Sequence, residues 1–350
     1  MLPQKLLRRR LALLALPLCA VVAAACSSSS GSGAPPGGAS PRPTIAPTLP
    51  AAGTVSATIS GLGVLPPGHG YKIVASDTAV WVLNGDSGNL LRIDPGTNTI
   101  VATIPVGFGL GDIAFAPGAV WVVAPSDGKI VRVDVQTNRV VATIREMPQE
   151  NIQAIAASPD AVWVSDFAED TLLRIDPHTN TVAARLPHTL GITGVSYGVG
   201  SVWVCDHHSE TQGLLRLDPQ TNRVLATIDV SAGKGILCSS VVTLDQATWA
   251  LSFNNDVRSS ALLERIDPAT NQVQATIPVP GVVPFDFAAD ARGVWLFDPE
   301  AGILYRADPQ SNRLVGQLAR PDLAGVAVGA GSVWVGNAHD GTLVRITPAP

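Results

Sequence analysis

The sequence predicts an all-β repeat protein, because one short motif built around a tryptophan recurs seven times along the chain. Consecutive tryptophans are 40, 42, 40, 46, 46 and 39 residues apart. A period near 40 residues is typical of closed arrays of small β-sheets. The seven are Trp81, Trp121, Trp163, Trp203, Trp249, Trp295 and Trp334. The spacing leaves no room for a second domain.

Each repeat supplies four short strands. In the first copy, an apolar "VWV" at 80–82 is followed by "LLRIDP" at 90–95 and "IVATI" at 100–104. A fourth apolar stretch precedes each tryptophan, as at 113–115. Short apolar runs separated by Gly, Asp, Asn and Pro are typical of strands joined by turns. Seven four-stranded sheets around one axis form a seven-bladed β-propeller, which is the fold we predict.

The two ends of the chain are expected to share the last blade. The seventh repeat ends at 345–347 and lacks its outer strand, whereas "TVSATI" at 54–59 resembles the outer strand of the other repeats. Closing the ring with one sheet built from both termini removes an exposed strand edge. We therefore predict that residues 54–60 complete the last blade by pairing with 343–346.

The segment before residue 54 has the composition of a targeting signal and a tether. Residues 1–25 carry a basic cluster before an apolar run, which is typical of a signal peptide. Three alanines precede Cys26, and this segment resembles the lipidation site of bacterial lipoproteins. The alternative is cleavage of the signal peptide without lipidation. Residues 26–53, rich in Ser, Gly and Pro, cannot bury a core. We predict a propeller at 54–350, outside the cytoplasmic membrane, anchored through Cys26 or secreted.

The charge of the mature chain excludes one class of partner. Residues 1–25 hold four of the 23 basic residues and no acidic one, which leaves 19 against 28 and a net charge of −9. A nucleic-acid-binding surface needs a basic patch, so we predict no nucleic-acid partner. The partners we expect are a small molecule, a cell-wall component or a surface protein, with membrane contact only through the lipid. We expect a monomer.

Residues that recur in every repeat are expected to serve the fold. We expect each tryptophan to fill the wedge between neighbouring sheets. An arginine follows the apolar pair in all seven repeats, and an aspartate stands two residues later in six. Because residues two apart share a strand face and arginine stems often cover apolar surface, we expect these side chains to pair and pack within a blade rather than bind anions. In the "DPxTN" turn, we expect Asp to accept backbone N–H bonds and Asn to adopt the left-handed conformation.

Function is expected where the repeats differ, and repeats 4 and 5 differ most. The tryptophan and the turn aspartate are 13 residues apart in repeats 1, 2, 3 and 6, but 15 in repeat 4 and 18 in repeat 5. The added residues fall in the loop after the tryptophan strand, on the face where propellers commonly bind ligands. The ligand-binding residues predicted there are Asp206, His207, His208, Asn254, Asn255, Asp256 and Arg258.

His207, His208 and Glu210 are the candidate catalytic residues. A histidine pair beside carboxylates can hold a divalent metal or supply a general base. Successive side chains of an extended segment point in opposite directions, which favours an ordinary polar loop. We therefore predict no cofactor, with a divalent metal as the alternative.

A second candidate site lies at the mouth of the central channel. The residue nine positions before each tryptophan varies, and in three repeats it is charged: Lys72, Asp112 and Asp286. These side chains can form a polar funnel for a small ligand or an ion, although a solvated channel wall is the more common outcome. His339 and Asp340, in the loop of repeat 7, are expected on the same rim.

Two cysteines outside the leader are expected on the same face of neighbouring blades. Cys205 ends the tryptophan strand of repeat 4, and Cys238 enters the innermost strand of repeat 5. An extracytoplasmic compartment permits a disulfide between them, and two free thiols are the alternative.

The repeat "VWV…LLRIDPxTN…VVATI" resembles the YVTN-type surface β-propeller repeats of bacteria and archaea over residues 54–350. That resemblance implies a binding or scaffold protein at the cell surface. The repeats are also similar to those of streptogramin B lyases, seven-bladed enzymes that open a cyclic depsipeptide with a metal-assisted His and Glu. No motif matches those enzymes residue by residue. The sequence therefore favours a noncatalytic binding protein, with a lyase as the alternative.

Overall fold

The structure is a computed structural model that describes residues 49–145, 152–166, 171–187, 191–206, 213–230, 237–244, 246–253, 260–280 and 287–350. These residues form seven four-stranded antiparallel sheets and one short 3-10 helix, η1, at Pro125–Asp127. Neighbouring innermost strands contact one another around the whole circle, including the last against the first. The predicted seven-bladed β-propeller is confirmed. No helix in the described part of the chain is long and apolar enough to cross a membrane.

The strands of each blade follow one another in sequence from the channel outwards. Blade 1 has β2 (Lys72–Ala75), β3 (Val80–Asn84), β4 (Asn89–Asp94) and β5 (Thr99–Pro105). Blade 2 has β6 (Ile113–Ala116), β7 (Ala119–Ala124), β8 (Lys129–Asp134) and β9 (Arg139–Ile144). Blade 3 has β10 (Ile152–Ala157), β11 (Val162–Asp166), β12 (Thr171–Asp176) and β13 (Thr181–Pro187). Blade 4 has β14 (Ile192–Gly198), β15 (Ser201–Asp206), β16 (Gly213–Leu217) and β17 (Val224–Ile228).

The remaining three blades follow the same order. Blade 5 has β18 (Leu237–Leu244), β19 (Ala247–Phe253), β20 (Ser260–Asp267) and β21 (Gln272–Pro280). Blade 6 has β22 (Phe287–Asp290), β23 (Gly293–Asp298), β24 (Ile303–Asp308) and β25 (Arg313–Ala319). Blade 7 has β26 (Leu323–Gly329), β27 (Ser332–Asn337), β28 (Thr342–Pro348) and, as its outer strand, β1 (Gly53–Ser60).

The antiparallel order gives the ring two different faces. One carries the turns between the third and fourth strands, such as 95–98 between β4 and β5, and is called the turn face below. The other carries the loops after the tryptophan strands and the crossovers from one blade to the next, and is called the loop face. Residues 61–71, between β1 and β2, form the longest of these crossovers.

The ring closes as the sequence predicts. β1 pairs antiparallel with β28, from Gly53 opposite Pro348 to Ser60 opposite Thr342. The chain already makes contacts before β1, because the N–H of Gln317 in blade 6 donates to the Pro50 carbonyl. The entering chain therefore bridges blades 6 and 7.

The core consists of seven apolar clusters, and each contains one tryptophan. Trp81 of blade 1, for example, packs with Val120 and Val133 of blade 2, and Trp334 of blade 7 packs with Val80 of blade 1. All seven indoles are at most 1% exposed. The predicted role of the tryptophans as wedges between sheets is confirmed.

The predicted pairing of each arginine with the aspartate of its own blade is wrong, but the predicted packing within the blade is seen. Within the described residues, six of the seven guanidinium groups lie over the tryptophan ring of their own blade. The Arg345 guanidinium lies over the Trp334 ring, 5.0 Å from its centroid, and its Nη1 donates to the Pro95 carbonyl and to Asn98 Oδ1 in the next blade. The turn aspartate instead accepts backbone N–H bonds, as Asp94 Oδ1 does from Gly96 at 2.7 Å. An arginine side chain is long enough to cross the blade interface, whereas the aspartate is already occupied by its own turn.

The turn asparagines adopt the left-handed conformation, as predicted. Their φ values lie between 54° and 59° in six blades: Asn98, Asn138, Asn180, Asn222, Asn271 and Asn312. The seventh blade has no such turn, because its third and fourth strands come from opposite ends of the chain. Its place is taken by the Ala349 carbonyl, which accepts from Arg306 Nη1 at 2.5 Å.

Candidate functional site

A cleft of about 690 Å³ opens on the loop face. It lies where the crossover 61–71 meets the crossover into blade 2, the crossover into blade 7 and the ends of β23 and β27. Its lining is mainly apolar and includes Leu65, Leu110, Phe297 and Leu323. A volume of this size is within the range of small-molecule sites. The cleft is therefore a candidate site for a small molecule.

The crossover 61–71 forms one wall of the cleft and is held to both neighbouring blades. The N–H of Leu65 donates to the Ala338 carbonyl, and that of Tyr71 donates to the Ala324 carbonyl, both in blade 7. On the other side, Asn84 Nδ2 of blade 1 donates to the Leu62 carbonyl at 2.8 Å. Bonds to both blades hold the wall in place without a ligand.

Two ion pairs stand at the polar side of the cleft. His69 Nδ1 lies 3.0 Å from both carboxylate oxygens of Asp86, in the loop between β3 and β4. Lys72 Nζ lies 3.7 Å from Asp112 Oδ1, at the mouth of the channel. Asp112 Oδ2 also accepts the N–H of Ile155, so this carboxylate ties blade 2 to blade 3. His69 and Lys72 both line the cleft.

Tyr71 lies beneath the polar side and is 1% exposed. Its hydroxyl donates to the Gly63 carbonyl, within the same crossover. Burial raises the pKa of Tyr71 to about 12, and the negative charges of Asp340 and Asp86 contribute. The phenol therefore stays neutral, and the part of the pKa shift that comes from Asp340 and Asp86 reflects negative charge near the hydroxyl.

Three of the residues predicted at the channel mouth meet at this cleft. Lys72 lines both the cleft and the central channel, which has a volume of about 480 Å³. Asp112 lines the channel and faces Lys72, and His339 lines the cleft. Asp286, predicted with them, lies outside the described residues. Their role in ligand binding stays a prediction.

Asp206 is the one described member of the ligand set predicted in blade 4. It ends β15 and is fully buried. The equivalent Asp298 in blade 6 accepts the N–H groups of Glu300 and Ala301 and so starts its loop. The remaining residues of this set lie outside the described part of the chain: His207, His208, Glu210, Asn254, Asn255, Asp256 and Arg258.

A disulfide joins Cys205 and Cys238 in the structure, with Cα atoms 5.2 Å apart. Both cysteines belong to the apolar cluster between blades 4 and 5. The bond therefore links the two blades whose loops are longest.

One buried carboxyl group lies in the same interface. Glu264 is 2% exposed and lies opposite Ala250, a member of the cluster that contains the disulfide. Burial raises the pKa of Glu264 to about 8, and the charge of Asp229 acts in the same direction. Ser252 Oγ donates to Glu264 Oε2 at 2.7 Å and opposes the shift. Glu264 is therefore mostly protonated at neutral pH.

Sequence reasoning missed the wall of the cleft and the pair formed by His69 and Asp86. These residues lie in a crossover and a loop, at positions outside the repeated motif. The length of the crossover 61–71 was an available signal, since the corresponding segment 106–112 is shorter by four residues. The cleft also depends on which crossovers approach each other, and the spacing of a motif does not contain that information.

The described residues include no cluster of three His, Cys, Asp or Glu side chains that could hold a metal ion. The alternative of a divalent metal at His207 and His208 concerns residues that the structure does not describe.

No protein-family model and no curated protein sequence matches the chain. Two of the solved structures that it resembles are a lyase and a synthase. Virginiamycin B lyase from Staphylococcus aureus is 16% identical, with a TM-score of 0.66, over 84% of this chain and 99% of that one. Hydrazine synthase from Kuenenia stuttgartiensis is 12% identical, with a TM-score of 0.65, over 82% of this chain and 99% of that one.

The fold defines the chain as a seven-bladed β-propeller protein. At such low identities, the likeness to both enzymes concerns the fold alone, because one fold hosts many activities. The resemblance to YVTN-type repeats stays a prediction.

Proposed function

We propose that this propeller is a noncatalytic binding protein that holds a small ligand in the loop-face cleft. The main support for this proposal is the cleft itself, which has a volume of about 690 Å³, mainly apolar walls and a few charged groups on one side. Pockets of this composition bind organic molecules by burying their apolar surface and orienting their polar groups.

The rim of the cleft supports this proposal. Val64 and Leu110, which line the cleft, expose 66% and 54% of their surfaces. Exposed apolar side chains that cluster beside a concave site are typical of binding surfaces. The wall is held by backbone bonds to two blades, so a ligand would meet a preformed site and lose less affinity to ordering.

The test compares two matched substitutions. Small apolar molecules are screened by thermal shift against residues 49–350, and the hits are titrated by calorimetry. Leu110→Arg places a charge in the cleft lining and should weaken the hits at least tenfold. Val101→Arg, at a side chain 50% exposed on the outer strand of blade 1, is the control and should leave them unchanged. If Leu110→Arg binds the hits with the same affinity as the unsubstituted protein, the proposal is wrong.

We propose further that the protein works outside the cytoplasmic membrane, anchored by a lipid on Cys26. The support is the sequence of residues 1–53, with an apolar run, three alanines before Cys26 and a Ser, Gly and Pro-rich tether. Cys26→Ser should move the protein from the membrane pellet to the soluble secreted fraction. Unchanged fractionation in a bacterial host would contradict the anchor.

A lyase is the second candidate, and the observation that favours it is the fold shared with virginiamycin B lyase. The pair of His69 and Asp86 adds a possible base, because a carboxylate on Nδ1 leaves Nε2 as the proton acceptor. Incubation of the protein with virginiamycin B and Mg²⁺, followed by chromatography, tests this activity. Ring opening that is lost in His69→Gln, or in His207→Gln, would favour the lyase over the binding protein.

A further inference from the structure

The lining of the cleft contains both basic and acidic side chains. Lys72, His69 and His339 are the basic ones, and Lys72 and His69 each face a carboxylate, Asp112 and Asp86. Asp322 also lines the cleft, on the crossover into blade 7, and its side chain is exposed. The two pairs are close to neutral when their members are charged, so Asp322 adds a negative charge to the lining.

Asp340 contributes in the same direction. Its carboxylate and that of Asp86 both raise the pKa of Tyr71, which lies below the polar side of the cleft. A carboxylate that disfavours a phenolate at this place favours a cation there by the same Coulomb interaction. Two separate observations, the lining and the behaviour of Tyr71, thus give the same sign of potential.

We propose that the cleft binds an organic cation with an apolar body, such as an aryl-alkyl or alkyl ammonium compound. The inference rests on the proposed function, since it names the ligand class of the same site. The apolar walls formed by Leu110, Phe297 and Leu323 take the body. The carboxylate of Asp322 attracts the ammonium group.

The site should discriminate by charge more than by shape. An anionic ligand of the same body would meet the carboxylate of Asp322, while Lys72 and His69 already face Asp112 and Asp86. A neutral ligand would keep the apolar contacts and lose only the ionic attraction. One unit charge at a solvent-exposed distance of a few Å corresponds to roughly a fivefold change in affinity.

The test uses three probes with one body: 4-phenylbutylamine, 4-phenylbutanol and 4-phenylbutyrate. Their affinities for residues 49–350 are measured by ligand-observed NMR titration at low salt and at 1 M NaCl. The ammonium should bind about fivefold more tightly than the alcohol, and the carboxylate should bind most weakly. High salt should remove most of the difference, because the charges are exposed to solvent.

Asp322→Asn tests the residue that carries the charge. It should weaken the ammonium three- to fivefold and leave the alcohol unchanged. Asparagine suits this position because Asp322 has a φ of 59°, in the left-handed region. Asp77→Asn is the control. Asp77 is exposed between β2 and β3 on the turn face, and its substitution changes the net charge of the protein by the same amount as Asp322→Asn.

The outcomes separate the two proposals. If all three probes bind with equal affinity, or if the carboxylate binds most tightly, the proposed preference for a cation is wrong. The cleft would then remain a binding site without that preference. An equal loss of affinity for 4-phenylbutylamine in Asp322→Asn and Asp77→Asn would also contradict the proposed preference for a cation. Failure of all three probes to bind would count against the proposed function itself.

Discussion

The turn face and the loop face are built from the same seven blades, yet they follow opposite rules. On the turn face, six asparagines share one backbone conformation, and arginines reach from one blade to the turn of the next. On the described part of the loop face, the crossovers differ in length and bonding from blade to blade. Repetition marks what the ring requires, and variation is tolerated where the ring does not depend on it.

Blade 7 shows what the turn face requires in chemical terms. No turn is available there, but the Ala349 carbonyl still accepts from Arg306. The common feature is therefore a hydrogen-bond acceptor below the guanidinium, and the repeated motif is the usual way to supply it. Within the described residues, five arginines have such an acceptor: Arg92, Arg132, Arg216, Arg306 and Arg345.

The largest effect is expected from removing the strand that closes the ring. A chain that starts at residue 61 loses β1, and with it every bond from Gly53 to Ser60 along β28. The exposed edge and the lost cover of the last blade should abolish cooperative unfolding in calorimetry. A chain that starts at residue 49 is the control and should melt like the full chain. If the shorter chain melts within a few degrees of this control, closure by β1 is not essential.

The next effect concerns a position where the interior departs from the repeat. Glu264 stands where the other blades have apolar residues: Leu91, Val131, Leu173, Leu215, Tyr305 and Val344. Its pKa rises from 4.5 to about 8 on folding, so the folded state binds the proton more tightly, and stability is lost as the pH rises from 4.5 to 8. Glu264→Leu should remove this loss and stabilise the protein by roughly 3 kcal/mol at pH 8.5.

Denaturant unfolding at pH 5 and pH 8.5 measures the effect of Glu264→Leu. The variant should gain little at pH 5, because Glu264 is then protonated in the folded state. A gain that is equal at the two pH values would mean that the carboxyl group does not ionise in this window and that only packing changed.

A smaller effect is expected from the arginines of the turn face, and it should differ between blades. Arg345 contacts the Trp334 ring and bonds to two acceptors in blade 1. The guanidinium of Arg174 has no such bond to blade 4, where Asn222 Oδ1 lacks a hydrogen-bond partner. Arg345→Ala should cost about 2 kcal/mol of unfolding free energy, and Arg174→Ala less than about 1 kcal/mol. Equal losses would show that the bonds to the next blade add little to packing.

The sequence predicted the fold well because the ring repeats its own requirements. The period of the tryptophans, the strand pattern and the missing last strand together define seven closed blades. The pairing of Arg345 was wrong because a strand pattern identifies neighbours within a blade, while the contact partner lies across the interface in another copy. The cleft could not be predicted, since it depends on the path of 61–71 over two blades. Lys72 and Asp112 were proposed because they interrupt a repeated pattern, and His339 because it lies in the loop of repeat 7.

We propose that the loop face binds the ligand and that the contacts of the turn face stabilise the ring. One experiment measures both quantities in two variants: the melting temperature by calorimetry and the affinity for 4-phenylbutylamine by NMR titration. Leu110→Arg on the loop face should reduce the affinity at least tenfold and shift the unfolding free energy by less than about 0.5 kcal/mol. Arg345→Ala on the turn face should lower the melting temperature and leave the affinity unchanged. Loss of affinity in Arg345→Ala while the protein is still folded, or full affinity in Leu110→Arg, would contradict the account.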